Sequence, residues 1–145
     1  MKKELDVGTS RNRGFSLIDL VIAIAVVAIL IRIAFPSYQA YIVRSSRQTA
    51  QSELVGLANA QEKIFLNSNS YTGTVTPAYT GQASGGLGVT SGTSKDGRYT
   101  YTIAATATTF TLTATPVAGT PQAGDGSLFI NEKGRHWGTV NGSTW

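Results

Sequence analysis

The sequence predicts an α+β fold in which a long N-terminal helix, transmembrane and then amphipathic, packs on a small antiparallel β-sheet. Three observations predict it. Residues 20–31 form an unbroken run of twelve apolar residues. Ala50, Leu54, Leu57, Ala58, Ile64 and Phe65 then recur at spacings of three and four, which gives a helix one apolar face. Farther on, Tyr99, Tyr101 and Ile103 alternate with Thr100 and Thr102, and Phe110, Leu112 and Ala114 with Thr111 and Thr113. Alternation with a period of two marks strands with one buried and one wet face.

The N-terminus reads as a short basic segment followed by a membrane span. Residues 1–14 hold Lys2, Lys3, Arg11 and Arg13 against Glu4 and Asp6, a balance of 4 − 2 = +2 in a chain of formal charge +4. Basic residues just before the span keep that end in the cytoplasm and send the rest across. Extended to residues 15–35, the apolar segment is 21 residues long and is interrupted only by Ser16, Asp19 and Arg32. As a helix it rises about 32 Å, enough for a hydrocarbon core of about 30 Å. A secretory signal peptide would need small residues at −3 and −1 after the apolar run. A cut after Ala34 puts Arg32 at −3, and one after Ala40 puts Tyr38 there. A plain signal anchor gives no reason for Asp19, whose carboxylate costs about 2.5–3.5 kcal/mol inside a span.

Pro36 removes one helical hydrogen bond and is expected to kink the helix near the outer membrane face. Tyr38, Tyr41 and Ile42 sit at that boundary, and the breaker cluster Asn67-Ser68-Asn69 ends the helix. Arg44, Arg47, Gln48, Gln51, Glu62 and Lys63 fall on its other faces. Residues 67–97, rich in Gly, Ser and Thr, read as a connecting loop with few apolar anchors and the least order in the head. Residues 104–109 join the first two strands as a hairpin, and Pro116 and Pro121 end the second. Leu128 and Ile130 make a third, shorter strand. A turn follows at residues 131–134, with Trp137 returning to the head. The expected divisions are 1–14, 15–41 (the membrane helix), 42–66 (its amphipathic half), 67–97 (the loop) and 98–145 (the sheet).

No catalytic set emerges, so an enzyme is not expected. The chain has no cysteine and one histidine, which starves zinc sites and rules out cysteine nucleophiles. His136, beside Arg135 and Trp137, reads as a surface or turn residue. Asp96-Gly97 and Asp125-Gly126 are turn signals, and Asp125 alone falls short of the several oxygens calcium takes. No metal or cofactor is expected. From Arg44 onward seven basic residues face five acidic ones, too small an excess for a dedicated nucleic-acid groove. Nucleic acid therefore remains an unsupported partner.

The segment Gly14-Phe15-Ser16-Leu17-Ile18-Asp19-Leu20, continued by Pro36, Tyr38 and Tyr41, resembles the prepilin peptidase site and helix of type IV pilins. The head resembles PilE-like minor pilins in Arg44-Ser45-Ser46-Arg47, Asn67-Ser68-Asn69-Ser70-Tyr71-Thr72, Phe110-Thr111-Leu112-Thr113-Ala114-Thr115-Pro116, Ala123-Gly124-Asp125 and Trp145. The resemblance implies a type IV pilin lollipop. It also implies cleavage by the prepilin peptidase between Gly14 and Phe15, with N-methylation of Phe15 and loss of the leader. Asp19 stands where the family usually has Glu, a carboxylate that meets the N-terminal ammonium of a neighbouring subunit during assembly. Asp is one C–C bond shorter, about 1.5 Å. The alternative for Asp19 is a helix cap. Arg32 either snorkels to headgroups or pairs with a neighbour's carboxylate. Such heads commonly carry two cysteines, near Gly126 or Ser127 and at Thr144, and their absence implies a looser C-terminal segment.

By this resemblance the chain is a minor structural subunit of a type IV pilus, supporting assembly, twitching, adhesion or DNA uptake. Its implied partners are the prepilin peptidase, major and other minor pilins, the inner-membrane assembly platform and, before assembly, inner-membrane lipid. Its head would lie in the periplasm and then in the extracellular fibre. Two alternatives stay open: a pseudopilin of a type II secretion system, and a signal-anchored periplasmic binding module.

Overall fold

The structure, a computed structural model, describes residues 16–139 and residue 145. Gly14, Phe15 and Thr144 lie outside the described residues. The chain divides into two compact units, Met1–Tyr38 and Gln39–Trp145. One α-helix, α1 (Leu17–Ser68), contributes to each.

Within the first unit, every described residue is exposed. Ile22, Ile24 and Leu30 each keep more than half of their surface accessible, so the apolar side chains of this half of α1 are exposed among the described residues. Among the described residues it is the one helix long and apolar enough to cross a membrane. Pro36 lies inside it. Lacking an N–H, the proline leaves the carbonyl of Arg32, four residues earlier, without its helical donor.

The second unit begins with the amphipathic half of α1. Ser46, Ala50, Leu54, Leu57, Ala58, Gln61 and Ile64 are buried, a stripe three to four residues apart that includes two polar residues. The helix stops at Ser68. Asn69 adopts the left-handed conformation (φ 51°) and its N–H reaches the Phe65 carbonyl at 2.8 Å, a non-glycine form of the usual helix C-terminus.

The sheet has the order β1-β2-β3-β4, with β1 (Tyr99–Ala105), β2 (Phe110–Pro116), β3 (Leu128–Asn131) and β4 (His136–Gly138). All neighbours are antiparallel. The inward residues Tyr99, Tyr101, Phe110, Leu112, Ala114, Leu128 and Ile130 join Ala50, Leu54, Leu57 and Ile64 in one core. Phe65 is only partly buried against it. Strand β4 is an element that periodicity did not show, because three residues are too few to display a period. His136 is correspondingly a strand residue opposite Ile130, not a turn residue.

The segment between α1 and β1 contains only isolated bridges, Tyr79 with Gly86 and Thr93 with Thr100, but it does not lack anchors. Tyr71, Val75 and Leu87 are core residues. Buried Gln61 clamps Thr72 from both sides, donating from Nε2 to its carbonyl at 2.7 Å and accepting its N–H at 3.1 Å. The strap doubles back on itself, with Leu87 N–H on the Thr74 carbonyl at 3.2 Å and Val89 N–H on that of Val75 at 3.1 Å. The expectation of few apolar anchors is corrected: three dispersed side chains suffice when backbone pairing closes the loop around them.

Candidate functional site

Asp19 sits in the first turn of α1. Its Oδ2 accepts the Ser16 backbone N–H at 3.2 Å, while Ser16 Oγ accepts the Ile18 N–H at 3.4 Å. This is a reciprocal capping arrangement, favoured by the positive end of the helix dipole. The structure thus brings Asp19 to Ser16 and to no cation among the described residues. Arg32 likewise has no ion-pair partner there, the one salt bridge being Arg47–Asp125.

That bridge is the centre of the head's polar network. Arg47 Nη1 donates to Asp125 Oδ2 at 3.0 Å and to the Asp125 carbonyl at 2.9 Å. The Tyr99 hydroxyl donates to the same Oδ2. Gln122 Nε2 donates to it at 2.7 Å and to the Tyr99 oxygen at 2.8 Å. Three donors on one carboxylate oxygen tie α1, β1 and the β2–β3 connection together. Arg47 is therefore not a solvated residue of the outer helix face, and Asp125 is more than a turn former. The signal available in the sequence was the pairing of two resemblance-bearing motifs, one ending in Arg47 and one in Asp125.

Further ties join α1 to β1 and to the segment before it. The Tyr101 hydroxyl donates to Glu53 Oε2 at 2.7 Å, and the Lys95 N–H approaches Glu53 Oε1 at 3.4 Å. Tyr71 donates to Glu62 Oε1 at 3.1 Å. Burial, reinforced by the adjacent carboxylates, raises all three phenols: Tyr71 is pushed up to about 12, and Tyr99 and Tyr101 still farther above the ordinary 10.0. Each stays a neutral donor. Beside Glu53 and Tyr101 an open cleft of about 540 Å³ runs between α1 and the strap, lined by Gly56, Leu57, Val89 and Lys95 among others.

At the C-terminal edge, Ser127 and Thr139 exchange hydrogen bonds. Ser127 N–H reaches Thr139 Oγ1 at 2.8 Å, and Thr139 N–H reaches the Ser127 carbonyl at 3.0 Å. Trp145 donates from Nε1 to the Trp137 carbonyl at 3.0 Å and lies against His136. These contacts occupy the region where the resemblance would put a disulfide. His136 Nδ1 faces the Gly134 carbonyl at 3.0 Å. No group of three or more metal-ligating side chains occurs among the described residues.

A family model described as "Type IV minor pilin ComP, DNA uptake sequence receptor" matches residues 36–127. Among individual proteins, the chain is 39% identical over 62 residues to the "Type IV major pilin protein PilA" of Myxococcus xanthus, covering 43% of this chain and 28% of that one. It is 38% identical over 66 residues to a "Fimbrial protein" of Pseudomonas aeruginosa, covering 46% and 43%. With a "Fimbrial protein" of Neisseria meningitidis serogroup A it shares 33% over 92 residues, covering 63% and 49%. The chain thus spans less than half the length of the first two relatives, and about half that of the third.

Proposed function

This chain belongs to the type IV pilin family, and from that premise we propose that it is a minor structural subunit of a type IV pilus with no catalytic role. As a family member it is a membrane-anchored subunit that assembles with other pilins. The observation that supports the structural reading is the contrast within α1. Residues 17–41 are exposed and almost wholly apolar, while the head beyond them is closed by its own core. Such a helix needs lipid first and other helices afterwards. The minor-subunit reading is supported by the family match, which covers the greater part of the head.

In this reading the prepilin peptidase removes residues 1–14 and methylates Phe15, and the inner-membrane platform feeds the subunit into the fibre from a periplasmic position. Pro36 bends the span, and Asp19 meets the terminal ammonium of a neighbour. The capping geometry supplies a resting partner for the carboxylate until that neighbour arrives. DNA reception, named in the matched family's description, is a second reading. Against it stands the head's small basic excess, with Arg47 already paired to Asp125.

Intact-mass analysis of wild-type and peptidase-deficient cells tests the processing. The mature chain should begin at a methylated Phe15, and an identical N-terminus in both strains defeats the reading. For assembly, sheared pili should contain Asp19→Glu but little Asp19→Ala. Asp19→Asn is decisive, because asparagine caps about as well as aspartate. Its normal incorporation would leave capping as the whole role of the residue.

A further inference from the structure

Gly56 is exposed in the middle of the amphipathic half of α1. After proline, glycine is the least favoured residue in a helix interior. A Cβ at this position would meet nothing within 4 Å, so the packing of the described head does not call for a glycine there. What a glycine does provide is room for another backbone to approach closely.

Two clefts meet at this residue, and both are lined by Gly56 and Leu57. The cleft of about 540 Å³ extends to Val89, Lys95 and Tyr101. The other, of about 260 Å³, extends to Lys63, Tyr79 and Leu87. Leu57 and Leu87 belong to the core, so the floor of the combined groove is apolar. Glu53 and Lys63 line its two ends and are ten residues apart on α1, about 15 Å of helical rise. That length accommodates an extended segment of about four or five residues. The Glu53 carboxylate is held within the chain, accepting the Tyr101 hydroxyl at 2.7 Å and facing the Lys95 N–H at 3.4 Å. The ammonium groups of Lys63 and Lys95, one in each cleft, are exposed and have no ion-pair partner among the described residues.

We propose that this groove receives a short acidic segment of a different pilin, its carboxylates on Lys63 and Lys95 and its backbone lying over Gly56. The proposal rests on the minor-subunit reading and gives that subunit a partner. Groove and occupant are on different chains, so a single copy in a fibre suffices. A polypeptide fits better than a nucleic acid. Two lysines reach few phosphates, and phosphate contacts supply most of the affinity for nucleic acid. The apolar floor between the lysines rewards side chains instead.

A photo-activated cross-linker at Asn59, which lines the smaller cleft, should join the full chain in sheared fibres to a second pilin. Peptide mapping should place the bond beside Asp or Glu. Absence of a pilin product, a bond to another copy of this chain, or a segment without carboxylates overturns the proposal. Gly56→Leu should leave processing and the denaturation midpoint intact but lower the cross-link yield about tenfold. Lys63→Glu with Lys95→Glu, at exposed positions that do not endanger folding, should do the same, whereas Lys63→Arg with Lys95→Arg should keep the yield. An undiminished yield in the glutamate variant, or in a folded Gly56→Leu chain, overturns the proposal. So does an undiminished yield accompanied by lost binding to a DNA duplex, which marks a nucleic-acid surface. In all these cases the assembly reading stands. A wild-type chain that is processed but never found in fibres overturns both.

Discussion

The two halves of α1 have the same secondary structure but different surroundings. From Ser46 to Ile64 a single stripe is buried, and Leu54 and Ile64 are completely covered. Before Tyr41 the equally apolar Ile24 and Ile29 remain about 60% exposed. Helical conformation is common to both. What differs is whether, among the described residues, the chain itself supplies the apolar partner. Apolar burial within the chain stabilises the head, while apolar surface left open is available for association.

The sharpest way to break this comparison is to truncate one side chain in each half. Leu54→Ala should destabilise the head by about 2–5 kcal/mol in chemical denaturation, the usual cost of a core cavity. Ile24→Ala should change the same transition by less than about 0.5 kcal/mol. Equal losses would mean that the first half packs on the head in solution.

The next effect concerns the polar tie between α1 and the β2–β3 connection. Asp125→Ala removes the carboxylate that accepts from the Tyr99 hydroxyl and pairs with Arg47, leaving Arg47 only the backbone carbonyl of residue 125; this should cost about 1.5–3 kcal/mol given that the pair is partly exposed to solvent. Arg47→Ala should cost a similar amount. The double variant should cost less than the sum, and strict additivity in that cycle would show that the two residues act independently.

Slightly smaller is the effect of Gly86→Ala. A Cβ there would collide with the Pro77 backbone carbonyl and ring, a fixed obstacle, so a loss of about 1–3 kcal/mol is expected. Gly56→Ala, where a Cβ meets nothing within 4 Å, should be neutral or stabilising, since alanine is the better helix former. A neutral Gly86→Ala would show that the strap yields independently of the core.

The smallest effect at neutral pH comes from the tyrosines. Tyr71, Tyr99 and Tyr101 hold their protons more tightly when folded, so their stabilisation is complete below about pH 10 and is lost as pH rises toward their raised values. Denaturation midpoints should be flat between pH 7 and 9 and fall above 10. Phenolate absorbance should show these three of the six tyrosines ionising only with unfolding. Early ionisation of all six would mean that the hydrogen bonds to Glu62, Asp125 and Glu53 contribute little.

How much was legible in the sequence follows from the range of each interaction. The apolar run at residues 20–31, the stripe from Ala50 to Ile64 and the alternation in β1 and β2 repeat with the period of their own backbone, so the sequence by itself determined one long helix, two paired strands and the α+β class. The bond between Asp19 and Ser16 is equally local, three residues apart, although the sequence left a helix cap as the alternative to an assembly role for Asp19. Strand β4, the anchoring of Tyr71, Val75 and Leu87, and the convergence of Arg47, Tyr99, Gln122 and Asp125 were decided only by the tertiary structure. Arg47 and Asp125 are 78 residues apart, and Gln61 meets Thr72 across the end of its own helix. Such contacts leave no periodic trace, because a hydrogen bond between distant segments depends on where the whole chain places its donor and acceptor, and local spacing carries no record of that.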